Sequence, residues 1–568
     1  MNAVLTDNLP LLAGAPNGIK KLRELILELA VRGKLVPQDP TDEPASELLK
    51  RIAEEKARLV AEGKIKKAKA THEELAEVSY EIPSSWAVAA LGQVVEIVRG
   101  ITFPASEKSK EPESGRIACL RTANVQDEIE WDDLLYIRES FVSRNDQYVE
   151  PHDIVMSMAN SRELVGKVAL IGSELKQKTT FGGFLGVLRP VLIEPRFVMA
   201  LLRTPHARSI LIDSASQTTN IANVSLAKLR PLPFAIPPLA EQHRIVAKVD
   251  ELMAQCDRLE ARQADADGAH AQLVRALLGS LTQASDAGDF AQSWQRLAEH
   301  FHPLLTTESS IDALKQTLLQ LAVMGKLVPQ DPSDEPASEL LKRISEEKAR
   351  LISEEGLRTT ARDDVPEAEH YFRLHSGWAS CRLGNLARFI DYRGRTPTKT
   401  SSGVPLITAK NVRPGFISRD PQEFIADTDY LSWMTRGFPR VGDMLFTTEA
   451  PMGNVAIIDI ADRFALAQRV ICFQLHELET GPFLKLTMMS SSFQAQLSDA
   501  ATGMTATGIK SSRLKEIPVP IPPLAEQHRI VAKVDQLMAL CDQLKARLNH
   551  VRQVHEHLAS ALVEQAVA

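Results

Sequence analysis

Apolar positions along this chain follow two alternating regimes. In the first they recur at helical spacing. Leu22, Leu25, Ile26 and Leu29 predict a helix over 19–31, and Gly33 is placed to close it. After the turn KLVPQDP, residues Leu48, Leu49, Ile52 and Leu59 line one face of a second helix starting near Pro44. Proline is tolerated there because the first helical turn needs no backbone donor. Thr41 or Asp42 stands where a capping side chain would. The opposite face carries Glu54, Glu55, Lys56 and Arg58, the mixed charge of a solvated surface. Much later, Ile245, Val249, Leu252, Cys256 and Leu259 step by four and three in turn. Ile530, Val534, Leu537, Cys541, Leu544, Leu548 and Val551 continue that step for longer, which is a heptad seam and predicts long coiled-coil helices.

In the second regime the apolar runs are short and β-like. QVVEIV, RIACLRTANV, DIVMSM and KVALIG lie within 84–235, and PLITAKNV, DMLFTT and NVAIIDI within 377–520. Gly, Pro, Asn and Asp separate them, so each stretch reads as a mixed α/β domain. The expected fold class is therefore mixed α/β, two globular domains joined by long helices that form an antiparallel coiled coil, with an internal pseudo-twofold repeat.

The helical regime is written twice. GKLVPQDPTDEPASELLKRIAEEKARL at 33–59 recurs as GKLVPQDPSDEPASELLKRISEEKARL at 325–351, and IPPLAEQHRIVAK occurs at 236–248 and again at 521–533. Ser333 and Asp334 replace Thr41 and Asp42 in the second copy, which keeps a hydroxyl and a carboxylate at the expected cap. The β-rich stretches diverge, yet LGQVVEIVRG at 91 faces LGNLARFIDYRG at 383, LRTANV at 120 faces LITAKNV at 406, HDIVMSM at 152 faces GDMLFTT at 442, and GKVALI at 166 faces GNVAII at 453. The expected organisation is a helical region over 1–83, a domain over 84–236, a central helical region over 237–376, a second domain over 377–521 and a final coiled-coil helix over 522–568. Residues 283–308, with little periodicity, read as a joint between the halves. A chain that fixes its frame and varies its inserts presents two different binding surfaces in one geometry.

Composition changes this picture little. Of 568 residues, 44% are hydrophobic and 24% charged, as in ordinary globular domains. No apolar run approaches the roughly 20 residues of a bilayer span, and the N-terminus lacks the basic region of a secretory signal. The five cysteines form no CxxC pair and read as small buried residues, which fits a reducing cytoplasm. Net charge is −7, but residues 377–520 carry 16 basic against 13 acidic side chains and 84–235 carry 17 against 17, so the repeated frame holds the surplus acid.

Catalytic signatures are missing. The sequence has no GxxxxGK[ST] or GxGxxG loop and no Asn/Asp-Pro-Pro-aromatic tetrad. His243 and His528 lack a second His or Cys at ligand spacing and read as surface or packing residues, so no metal site is expected. The pairs Glu54–Lys56 and Glu346–Lys348 read as solvated helix faces. A chain of this kind binds and does not react.

Groups suited to DNA cluster in the inserts. In the first they are Arg99, Lys108, Lys110, Arg116, Arg121 and Asn124; in the second, Arg393, Arg395, Thr396, Lys399, Lys410, Asn411 and Arg413. Loops TTN at 218–220, ending on Asn220, and TATG at 505–508, followed by Lys510, are further candidates. Arg and Lys serve phosphates and guanine edges, and Asn pairs with adenine.

With its doubled IPPLAEQHRIVAKVD and GKLVPQDPxDEPASELLKRIxEEKARL blocks around divergent inserts, the chain resembles the specificity subunits of type I restriction–modification systems, and its N-terminal block resembles the type IB group. The resemblance covers nearly the whole chain. It implies two target-recognition domains, each reading one half of a split asymmetric sequence in double-stranded DNA. It also implies helices that set the unread spacer and dock two methyltransferase subunits, with restriction subunits added. No cofactor is then expected on this chain, and S-adenosylmethionine, ATP and Mg belong to partner subunits. Rival readings are a coiled-coil scaffold without nucleic acid, and a nuclease or methyltransferase acting alone.

Overall fold

The computed structural model describes residues 11–66, 78, 80–214, 216–217, 222–285, 287–355, 365–370, 372–392, 397–502 and 508–567. Asn220, Arg393, Arg395 and Thr396 lie outside them. The chain divides into two units, Met1–Asp265 with Val551–Ala568, and Ala266–His550. Each combines a helical frame with one mixed α/β domain.

The frame begins as the periodicity predicts. Helix Gly18–Val31 buries Leu22, Leu25, Ile26 and Leu29, and helix Ala45–Ala61 buries Leu48 and Ile52. Gly33 follows the first with φ +70°. A Cβ there would also come within 2.6 Å of Pro83 and 3.3 Å of Trp86, so both the left-handed turn and the close packing require glycine. Gly325 repeats this at φ +68° against His375 and Trp378.

The two long helices are Leu239–Gln283 and Leu524–Val567. In the first unit Ile245, Val249, Leu252 and Cys256 share one core with Leu22, Leu25 and Leu29 and with Ala559 and Ala566 near the chain end; Leu259 packs at its margin. Arg23 pairs with Asp257 at 2.6 Å and Glu260 at 2.8 Å, and Lys21 donates to Ser560 at 2.7 Å. In the second unit Cys541 shares a core with Leu278, Leu281, Ile311, Leu314 and Leu318, while Leu537, Leu544 and Leu548 pack against it. Ile530 and Val534 close over Leu319, Trp378 and Phe483. Lys545 pairs with Asp312 at 3.0 Å and Glu308 at 3.2 Å. Each unit thus joins the start of one long helix, or its end, to the opposite end of the other through a short frame helix. Within the stretch expected to join the halves, Ala287–Glu299 and Phe301–Leu304 are helical. Leu297 and Leu304 are buried there, but they lie seven residues apart in separate helices, too sparse a signal to register as periodicity.

The two domains share one topology beneath divergent sequence. In the first, strands Val95–Arg99, Leu185–Pro190, Ile154–Ser157 and Val168–Leu170 pair antiparallel in that order. In the second, Ala387–Asp391, Val470–Leu475, Met444–Thr447 and Val455–Ile457 do the same. A smaller sheet accompanies each, with Arg116–Leu120 parallel to Thr179–Phe181 and Val404–Ile407 parallel to Ala465–Leu466. Three of the four weak sequence parallels fall on equivalent strands of these sheets, and the fourth, LRTANV with LITAKNV, on the turns that leave Arg116–Leu120 and Val404–Ile407. Two details depart from the β reading: Leu91–Val94 is a turn of helix, and Thr122–Asn124 a turn of 3-10 helix. Each domain closes on itself, since Ala87–Ala90 pairs antiparallel with Pro233–Ile236 and Ala379–Arg382 with Pro518–Ile521.

Candidate nucleic-acid interface

The repeated IPPLAEQHR segment is the latch between frame and domain. Glu241 is fully buried. The Trp86 indole N–H donates to its Oε2 at 3.0 Å, and Gln38 of the PQDP turn donates to its Oε1 at 2.7 Å. Burial pushes this carboxyl above its ordinary range, against the two hydrogen bonds that favour its charge. Gln242 donates to the Pro237 carbonyl and accepts from the Glu194 N–H. Arg244 reaches Asp42 at 2.6 Å. The second copy repeats most of the set: Trp378 and Gln330 donate to Glu526, each at 3.0 Å, Arg529 pairs with Asp334 at 2.7 Å, and Gln527 donates to the Pro522 carbonyl, while its Oε1 accepts no bond from a described residue.

This latch corrects two expectations. Neither Thr41 nor Asp42 caps the following helix, whose N-cap is Pro44 without a side-chain bond. Asp42 is taken by Arg244, and the Thr41 hydroxyl donates to Asp39, as Ser333 does to Asp331. The Thr-to-Ser exchange therefore preserves a turn and not a cap. Nor is Lys56 on a solvated face. Its ammonium donates to the carbonyls of Gly92 and Val95 at the end of the Leu91–Val94 turn, and Lys348 donates to Asn385 in the equivalent turn. A lysine near a helix C-terminus offsets its unpaired carbonyls. Burial lowers the Lys56 pKa from its ordinary value. His243 and His528 sit mainly exposed beside Glu194 and Glu479.

In the first domain, Arg99, Lys108 and Arg121 line one cleft of about 820 Å³, together with Phe103, Met158 and the turn Gly182–Gly183–Phe184. Arg99, Lys108 and Lys110 are exposed and make no ion pair with a described residue. Arg121 pairs with Asp133 and stays partly exposed. Cys119 also borders the cleft, but burial pushes its thiol up to about 12, so no thiolate is offered there at neutral pH. Arg116 and Asn124 serve their own fold. Arg116 bonds Glu113 and the carbonyls of Glu107 and Tyr136. Asn124 is buried, its amide donating to the carbonyls of Glu130 and Asp132 and accepting from the Arg121 N–H.

The second domain repeats that division. Asn411 is buried, donates to the carbonyls of Ser418 and Pro421 and accepts from Thr408. Like Asn124, it braces a loop and has no hydrogen bond left to donate. Lys399 and Lys410 share Glu423, at 2.7 and 3.8 Å, while Arg413 and Lys510 are exposed. Sequence reasoning passed over Phe184, the Gly182–Gly183 turn and the buried Trp–Glu latch. The latch had left a signal, because SSW at 84–86 and SGW at 376–378 stand in the same register as the upstream repeat.

No group of three or more His, Cys, Asp and Glu side chains able to hold a metal occurs among the described residues. None of their helices is long and apolar enough to cross a membrane.

A family model described as the type I restriction modification DNA specificity domain matches residues 83–266 and 375–552. The chain is 37% identical over 571 residues to the type I restriction enzyme EcoAI specificity subunit of Escherichia coli, spanning 97% of this chain and 94% of that protein. It is 35% identical over 583 residues to the EcoEI specificity subunit of the same organism, with the same coverage. A solved HsdS subunit from Thermoanaerobacter tengcongensis aligns over 86% of this chain and 98% of its own, at 18% identity and a TM-score of 0.38.

Proposed function

Since this chain belongs to the specificity subunits of type I restriction–modification systems, as their DNA-specificity component and close to EcoAI and EcoEI, we propose that its two domains each read one half of a bipartite, asymmetric target in double-stranded DNA. One observation carries the reading: two domains of the same strand order are held by the same Trp–Glu–Gln latch, yet they expose different side chains. A shared scaffold with unlike surfaces suits a split target whose halves differ. It gives a scaffold without nucleic acid no reason to vary.

The residues fall into roles by their surroundings. Arg99, Lys108, Lys110 and Arg121 in 84–236, and Lys399, Lys410, Arg413 and Lys510 in 377–521, are the groups open to phosphates and base edges. Asn220, Arg393, Arg395 and Thr396 remain candidates on sequence grounds alone. The long helices, pairing start with end in each unit, suit an antiparallel coiled coil that sets the unread spacer and docks two methyltransferase subunits. S-adenosylmethionine, ATP and Mg then act on those methyltransferases and on added restriction subunits, in the cytoplasm.

The test is a map of modified adenines in a host lacking other systems, with this chain co-expressed with its cognate methyltransferase. A split motif with a fixed unread gap, lost when this chain is omitted, is the expected result. A continuous motif would mean that one domain alone reads DNA. No modification from a soluble, associated complex would overturn the reading.

A further inference from the structure

The same backbone turn carries opposite chemistry in the two domains. In the first, the Gly182 N–H donates to Leu120 O, Leu185 N–H to Gly182 O, and Met158 N–H to Phe184 O. In the second, the Ala467 N–H donates to Ile407 O, Val470 N–H to Ala467 O, and Thr448 N–H to Arg469 O. These three bonds superimpose one turn on the other residue by residue: Gly182 on Ala467, Gly183 on Gln468, and Phe184 on Arg469. The next bond agrees, from Val224 to Met158 and from Ile509 to Thr448.

The turn is held firmly in the first domain. A Cβ on Gly100 would lie 2.1 Å from the Gly182 carbonyl oxygen, so the neighbouring strand meets the turn backbone to backbone. On this fixed support Phe184 is 65% exposed at the cleft that also holds Arg99, Lys108 and Arg121. A lone exposed apolar residue is ordinary on a protein surface. This one is set apart by its basic surroundings and by the residue that replaces it. Arg469 is exposed too, and Glu449 meets its Nε at 3.3 Å, a contact that orients the guanidinium without enclosing it.

We propose that this turn is a base-reading element in both domains, with Phe184 setting an aromatic face against a base in one half-site and Arg469 a forked donor against a guanine edge in the other. Aromatic rings contact thymine methyls or stack on unstacked bases, and arginine pairs bidentately with guanine O6 and N7. The inference rests on the split-target reading above and adds which position in each domain makes the choice.

The test uses the full chain with its methyltransferase and maps modified adenines for R469K, R469A, F184A and F184L, with melting temperature and co-purification recorded for each. R469K keeps the charge and loses the fork. It is expected to relax one guanine position in one half-site, on the order of ten- to hundredfold in relative rate, and to leave the other half unchanged. F184A is expected to weaken one position of the opposite half-site only, and F184L, which keeps an apolar contact and serves if F184A is unstable, to do so less. Unchanged letters would overturn the proposal, whether at the parental rate or with an even loss at all sites. Exchange of residues 84–236 between relatives separates the two levels. If the exchange leaves both half-sites unchanged, the split-target reading itself fails; if it changes one while the point variants change nothing, only the turn is wrong.

Discussion

At the scale of single residues, the frame and the first domain meet on a buried carboxylate. Glu241 accepts from an indole and an amide, and burial raises its pKa. The folded chain then holds the proton more tightly than the unfolded chain does. Its contribution to stability is fully present below the ordinary carboxylate range and is lost as pH rises through that range and the raised value. Glu241→Gln removes this dependence and sets a second amide N–H group against donors already there, at a cost of about 1–3 kcal/mol near neutrality. Melting of the parent and the variant at about pH 5 and pH 7.5 checks it: the parent's lead over the variant should shrink from the lower pH to the higher, while a constant gap would remove Glu241 as its source. Little of this was legible in sequence. The repetition of AEQ within the chain marked the position, but only the fold brings Gln38, Trp86 and Glu241 together across roughly 200 positions. Asn124 and Asn411 teach the reverse lesson. An asparagine among arginines suggests adenine recognition, yet both amides are spent on neighbouring carbonyls.

At the scale of elements, helical periodicity was the most legible feature, because a heptad pattern depends only on local spacing. Helices Leu239–Gln283 and Leu524–Val567 follow from it directly. Capping was less legible, since Asp42 had a distant partner in Arg244 that no local rule anticipates. The heptad also sets a measurable step. One added heptad within 245–262 lengthens the helix by about 10.5 Å, or roughly three base pairs of B-DNA rise. The expected result in the adenine map is a longer unread spacer with both half-site sequences intact. Changed half-site letters would show that these residues read bases and do not space them.

At the scale of the whole molecule, the repeat was plain in sequence, whereas the kinship of the two domains surfaced in four faint fragments. Sheet order depends on which apolar faces meet, not on which residues form them, so the order persists after the letters have drifted. Because both latches use the same tryptophan, glutamate and glutamine, a relative's domain placed at 84–236 should dock as the native one does. It should alter one half of the target and leave the other, as read by the same adenine map; change in both halves would show that the domains do not read independently. The antiparallel pairs Ala87–Ala90 with Pro233–Ile236 and Ala379–Arg382 with Pro518–Ile521 carry this further. Each domain leaves the frame and rejoins it at one spot, like a bead on a single stalk. On the split-target reading proposed above, a single genetic exchange between flanking repeats would give a new DNA address with the frame's register undisturbed, and no intermediate that reads nothing would be needed.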